Sequence, residues 1–85
     1  MSNTHHGIIR EVEHETDVIW EPAVRISVEL EDRDGNTFFI LRFEEMIKIF
    51  KYFGSFHIEE LLNQGVVYEE DFPGHFKFLR IWGMT

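Results

Sequence analysis

The sequence predicts an α+β fold, in which one main helix packs on a mostly antiparallel sheet of about five strands. Three observations predict it. Segment 23–30 alternates apolar and polar residues with a period of two, which is typical of a half-buried strand. Segment 43–54 changes to an apolar stripe at helical spacing. The chain has 85 residues, which suits a single domain over residues 7–85, preceded by a polar, flexible tail at residues 1–6.

Three strands are predicted before the helix. Segment 7–14 (GIIREVEH) is the first, and segment 23–30 (AVRISVEL) is the second. Asp34-Gly35 then predicts a hairpin, because glycine readily takes the positive φ of a tight turn. The third strand, segment 37–43 (TFFILRF), is apolar on both faces for part of its length. We therefore expect it to be central in the sheet, or to have one face covered by a helix.

The predicted helix at 43–54 has two glutamates in its first turn and two lysines later, an order that suits the helix dipole. Gly54 is a natural C-terminal stop. The residues of its inward stripe are Phe43, Met46, Ile47, Phe50 and Phe53.

Residues 55–65 predict a second, short helical turn that closes in a left-handed conformation at Asn63 or Gly65. Its expected inward residues are Ile58, Leu61 and Leu62. Strands at 66–70 and 75–82 follow, separated by a turn in the segment DFPG. The predicted element order is therefore β-β-β-α-α-β-β.

The charge of the chain is strongly negative, since 16 acids and 8 bases give a net charge of −8. Such a surface repels phosphate backbones and anionic lipids, so we expect no direct nucleic-acid binding and no membrane binding, whereas a basic protein surface is attracted. Without cysteine, the chain has no disulfide, thiolate nucleophile or cysteine-based zinc site. The apolar runs are shorter than a membrane span and the start lacks a signal-peptide pattern, so we expect a cytoplasmic protein.

No pattern in the sequence predicts catalysis, a metal or a cofactor. His5 and His6 are neighbours in the expected tail without a third ligand at ordered spacing, and His57-x-x-Glu60 lacks the second histidine of a zinc-protease motif. Adjacent acids lie at helix starts or before a turn, where they are usually solvated. No serine occupies an activating motif, and no glycine-rich phosphate loop occurs. We therefore expect a protein that is not an enzyme, with no catalytic residue, metal ligand or cofactor.

Segment 15–22 (ETDVIWEP) is an eight-residue connection that contains three bulky apolar residues. In one interpretation, Ile19 or Trp20 folds back over an edge of the core, or residues 18–20 extend the second strand. In the other, they form an exposed apolar tip in an acidic rim, with Trp20 as a binding hot spot and the acids steering a basic partner. The candidate partner-binding residues are Asp17, Val18, Ile19, Trp20 and Glu21.

The segment FEEMIKIFKYFGSFHIEELLNQGVVYEE is followed by an aromatic strand that ends in RIW. This half of the chain resembles a loose group of small phage- and prophage-encoded α+β proteins, in which a helix ends at glycine and a turn of the type x-x-(Ile/Leu/Trp)-Glu-x-Leu-x-Gly follows. The matching positions are Gly54, Ile58, Glu59 and Leu61, with Asn63 where that group tends to have glycine. The resemblance implies a viral or mobile-element origin and no defined activity. Small acidic phage proteins are often inhibitors of a host protein, sometimes by imitating the charge of DNA.

Together these features predict a small, acidic, non-catalytic protein that binds and modulates or inhibits a host protein. A variant is a DNA mimic, which requires carboxylates aligned on one face. The alternative is a structural or assembly protein that forms a homo-oligomer through an exposed strand edge, such as the first or the final strand.

Overall fold

The computed structural model of the protein describes residues 4–16, 21–54 and 57–84. In chain order, the elements are β1 Thr4–Thr16, β2 Pro22–Leu30, β3 Asn36–Leu41, the helix α1 Phe43–Phe53, a short 3-10 helix Ile58–Leu61, β4 Gly65–Phe72 and β5 His75–Ile81. The strands form one antiparallel sheet in the order β3-β2-β1-β4-β5. The sheet is curled and α1 packs on one of its faces, which confirms the predicted α+β class.

Strand β1 is the central strand, and it begins inside the segment expected to be a tail. Residues 4–6 pair with residues 67–69 of β4. The expected tail over residues 1–6 is therefore wrong from Thr4 onward, because β4 supplies hydrogen-bonding partners that the local composition does not reveal; residues 1–3 lie outside the described residues. Since β1 lies between β2 and β4, it is also not the exposed edge that the assembly alternative names.

A β-bulge decides which side of β1 faces the core. The register with β2 shifts between Ile9 and Glu11, which leaves Arg10 as the extra residue. As a result, Ile9 and Val12 both pack in the core, although strict alternation from residue 7 to residue 14 places them on opposite faces. The bulge thus moves the glutamates that follow it to the face of the sheet opposite α1.

Strand β3 is an edge strand rather than a central one, since it pairs with β2 and ends the sheet. The other expectation for it, a single covered face, is confirmed. Phe39 and Leu41 are buried on the α1 side, whereas Phe38 and Ile40 are exposed on the opposite side. The predicted hairpin precedes β3, and Gly35 in that turn has a φ of 127°.

Helix α1 forms where the apolar stripe predicts it. Met46 and Ile49 are buried, and Phe50 and Phe53 pack against the core. Gly54 ends the helix with a φ of 69°, and its N–H donates a hydrogen bond to the Phe50 carbonyl at 2.8 Å. The predicted stop at Gly54 is confirmed.

The predicted second helical turn is the 3-10 helix. Ile58 and Leu61 are buried as expected. Leu62 is exposed, contrary to expectation, because the chain leaves the helix there in an extended conformation with a ψ of 133°. Asn63 takes the expected left-handed conformation with a φ of 66°. This reversal directs the chain into β4.

The last two strands form a hairpin whose turn consists of Pro73 and Gly74, with Phe72 opposite His75. The turn is shorter than the predicted segment 71–74, because β4 extends to Phe72. A register shift further along leaves Leu79 as an extra residue of β5.

The core lies between α1 and the sheet. Its largest fully buried side chain is Tyr68 of β4, whose ring lies 6.2 Å from that of Phe39 and 5.4 Å from that of Phe76 between centroids. Tyr68 thus contacts side chains from both edge strands, β3 and β5, within the core.

Candidate functional site

The candidate partner-binding segment joins β1 to β2. Thr16 pairs with Pro22, so the connection comprises residues 17–21 and is shorter than the eight residues that the sequence suggests. Asp17, Val18, Ile19 and Trp20 lie outside the described residues, and their role stays a prediction. Glu21 is described and lies exposed immediately before β2.

An apolar groove lies beside this connection and is here called the α1 groove. It has a volume of about 360 Å³, within the range of sites that receive small ligands or anchoring side chains. The helix, the start of β2, the end of β1 and the 3-10 helix all contribute to it. Residues that line it include His14, Pro22, Phe43, Ile47, Phe50 and Ile58.

The α1 groove exists because two residues of the helical stripe are left uncovered. The side of α1 that packs on the sheet is centred on Met46 and Ile49. Phe43 and Ile47 lie at the margin of that buried side, and they remain 46% and 37% exposed. The expectation that both face the core is therefore wrong, and the apolar surface that results is available to an anchoring group.

The surroundings of the α1 groove carry more negative than positive charge. Within α1 itself, two glutamates and two lysines balance. Beyond the helix, the exposed charged residues that adjoin lining residues include two acids, Glu21 and Glu59, and one base, Arg42. With a net charge of −8 for the whole chain, this end of the molecule favours a basic or neutral approach over an acidic one.

A second group of functional interest is the polar cluster of His5, Asp32, Arg33, Tyr68 and Glu70. His5 Nδ1 lies 2.6 Å from Asp32 Oδ2. The Tyr68 hydroxyl donates a hydrogen bond to Asp32 Oδ1 at 3.4 Å. Arg33 Nη2 donates one to Glu70 Oε1 at 3.0 Å. The cluster therefore ties the β2–β3 turn to the start of β1 and to β4.

The pKa values in the polar cluster follow from these contacts. Burial acts to raise the pKa of Asp32, but the hydrogen bond and charge of His5 and the charge of Arg33 outweigh it, so the pKa lies below 3.8. The Gly74 N–H and the Arg33 guanidinium lower the pKa of Glu70 below 4.5. Both carboxylates are ionised at neutral pH. Burial, followed by the charge and hydrogen bond of Asp32, raises the pKa of Tyr68 to about 12.

The geometry of the polar cluster favours a structural role over acid–base chemistry. A His–Asp pair can orient a catalytic base when the second ring nitrogen points toward a substrate. Here the Nε2 atom of His5 lies 3.9 Å from Glu70, so both ring nitrogens face carboxylates of the cluster. Sequence reasoning missed this cluster because its members are far apart in the chain. A correct pairing of β1 with β4 would have placed His5 opposite Tyr68, but the sequence does not indicate that pairing.

Three other histidines lie on different elements of the fold. His14 lines the α1 groove, His57 precedes the 3-10 helix and His75 begins β5. In the described ranges, no three side chains of histidine, aspartate or glutamate are arranged to hold a metal ion. Neither helix in those ranges combines the length and hydropathy of a membrane-crossing segment.

A row of acids follows the bulge in β1. Glu11, Glu13 and Glu15 alternate with core-facing positions and pair with Ser27, Arg25 and Ala23. They therefore share the sheet face opposite α1. Their spacing along the strand is about 6.8 Å, twice the rise per residue.

Comparisons of the chain with protein-family models, with curated proteins and with solved structures gave no match. The resemblance to small phage and prophage proteins stays a prediction.

Proposed function

We propose that the protein is a small, non-catalytic, cytoplasmic binding protein that modulates or inhibits a host protein. The α1 groove receives an apolar anchor from a basic segment of that partner, and the predicted segment of residues 17–21 binds beside it. The observation that carries the proposal is the α1 groove, with Phe43 and Ile47 exposed on a strongly acidic chain.

The physical argument combines two effects. Covering the exposed side chains of Phe43 and Ile47 removes apolar surface from water, which supplies affinity. The net negative charge accelerates the approach of a basic partner and disfavours acidic ones. The suggested viral or mobile-element origin makes a protein of the host cell the favoured partner.

A DNA mimic is the variant of this proposal that the glutamate row supports. The three glutamates occupy strand positions about 6.8 Å apart along the backbone, which is twice the 3.4 Å axial rise per charge of one DNA strand. In this variant, duplex DNA competes with the protein for the partner. In the groove-centred form it does not compete.

Replacing Ile47 with lysine is expected to weaken partner binding at least about tenfold, since it places a charge in the apolar α1 groove. The measurement has two steps. The wild-type protein is first used to capture proteins from a host lysate. A protein that it retains, and that the bare matrix does not, is then purified and titrated by calorimetry with the wild type and with I47K.

The matched control is Ile40→Lys, because Ile40 and Ile47 are both 37% exposed but lie on different surfaces. I40K should bind the purified partner with wild-type affinity. Equal binding by wild type, I47K and I40K would show that the α1 groove is not the site.

Replacing Trp20 with alanine tests the sequence-based part of the proposal. If Trp20 is a hot spot, partner binding weakens by about 2 kcal/mol or more, while the melting temperature hardly changes. Titration of the same partner and thermal denaturation by circular dichroism measure the two quantities. A variant that unfolds instead identifies Trp20 as a core residue.

A further inference from the structure

The strand β3 lacks the charged residues, the proline and the bulge that often protect an edge strand. Natural edges carry lysine, proline, bulges or a covering element, because an open row of backbone groups can pair with another strand. The six residues of β3, NTFFIL, include no charged residue and no proline. The register of β3 with β2 shows no shift along its length.

The opposite edge of the sheet shows the contrast. Strand β5 is the other edge, and it contains Lys77 and Arg80. Its register with β4 is interrupted at Leu79. These charges and this bulge disfavour pairing with another strand. Within the described residues, β3 is thus the edge suited to receive one.

Apolar side chains make the β3 edge more favourable to cover. Phe38 and Ile40 share the sheet face opposite α1 and are 55% and 37% exposed. The Arg25 guanidinium lies over the Phe38 ring, 4.5 Å from its centroid, and covers only part of it. A strand added beside β3 would shield the exposed side of both residues.

We propose that β3 pairs antiparallel with β3 of a second copy of this chain, which joins the two sheets across a twofold axis. The charges at the two ends of β3 favour this occupant. Asp34 lies two residues before the strand, and Arg42 follows it directly. In an antiparallel pair of identical strands, the Asp34 end of each copy meets the Arg42 end of the other.

The charge distribution also permits two acidic chains to approach each other at the β3 edge. The net charge of −8 repels a second copy in general, but β3 itself is uncharged. A six-residue strand is about 20 Å long, so the paired surface is small and the dimer is reversible rather than permanent. This inference is independent of the α1 groove, which involves other residues.

The test is sedimentation equilibrium of the wild type, I40K and I47K over a wide range of protein concentration. The wild type should show a reversible monomer–dimer equilibrium. I40K places a lysine on the edge and should raise the dimer dissociation constant at least about tenfold, which corresponds to 1.4 kcal/mol. I47K should dimerise as the wild type does. A wild type that stays monomeric, or equal dimerisation of all three proteins, overturns the proposal.

A second measurement on the unmodified protein covers the case in which I40K fails to fold. Deuterium exchange of the β3 amides should slow as the wild-type concentration rises, because pairing protects outward-facing N–H groups. Exchange in β5, the other edge strand, should not change. Protection that appears in β5 and not in β3 would also contradict the proposal.

Discussion

Replacing Gly7 with alanine is expected to lower the free energy of unfolding by about 2–3 kcal/mol and the melting temperature by about 10 °C. Gly7 lies in β1 where that strand pairs with both β2 and β4, opposite Leu30 and Val66. A Cβ atom at this position would overlap Val28 Cγ1 and lie 2.8 Å from the backbone oxygen of Glu29. Because Val28 is branched at Cβ and fully buried, neither neighbour can move aside easily.

Whether G7A destabilises or stabilises the protein shows how closely β1 and β2 approach at this position. In a strand without close neighbours, alanine in place of glycine stabilises by about 0.5–1 kcal/mol, because it restricts the unfolded chain. Urea denaturation of the wild type, G7A, V28A and the double variant separates the two effects. We expect G7A to cost less in the V28A background, where part of the overlap is removed. Stabilisation by G7A would mean that β1 and β2 do not approach this closely.

The parts of the fold that the sequence predicts correctly depend on neighbours in the chain. The alternation in β2, the presence of a helix at α1, the stop at Gly54 and the left-handed Asn63 are local signals, and each is confirmed. The period of the apolar pattern and the conformation of a turn both depend on residues that are close together in the sequence. For this reason, element types and the class of the fold follow from the sequence.

The position of each strand in the sheet could not be predicted in the same way. Strand order depends on pairings between distant segments, and an uncharged apolar segment such as β3 has the same composition at an edge as at a centre. The bulge at Arg10 has a similar origin. Alternation assigns Ile9 and Val12 to opposite faces, and only the pairing with β2 shows that both face the core.

The candidate site also combines features that local patterns predict with features that depend on distant contacts. The sequence identifies the residues of the α1 stripe but not which of them the sheet leaves uncovered, so the exposure of Phe43 and Ile47 emerges only when α1 is packed. The polar cluster depends on contacts such as that between His5, near the start of β1, and Asp32, in the turn between β2 and β3. Neither residue has a local pattern that indicates its partner.

Replacing Tyr68 with alanine is expected to have the largest effect of any single change considered, a loss of about 3–5 kcal/mol. The ring is fully buried and contacts aromatic residues of β3 and β5. The substitution leaves a cavity, and it also removes the hydroxyl that donates a hydrogen bond to Asp32 in the β2–β3 turn. Domains of this size have a stability of about 5–15 kcal/mol, so the variant should be largely unfolded at moderate urea concentrations where the wild type is folded.

Tyr68→Phe separates packing from the polar cluster, because it keeps the ring and removes the hydroxyl. Loss of the hydrogen bond to Asp32 should cost about 1 kcal/mol at neutral pH. The pKa of Tyr68 is raised from 10.0 to about 12, so folding favours the protonated phenol. Its contribution is fully present below pH 10.0 and is lost as the pH rises through about 12. The wild type should therefore lose stability between these pH values more steeply than Y68F, as measured by urea denaturation at a series of alkaline pH values. Parallel losses in the two proteins would place the Tyr68 hydroxyl in water rather than beside Asp32.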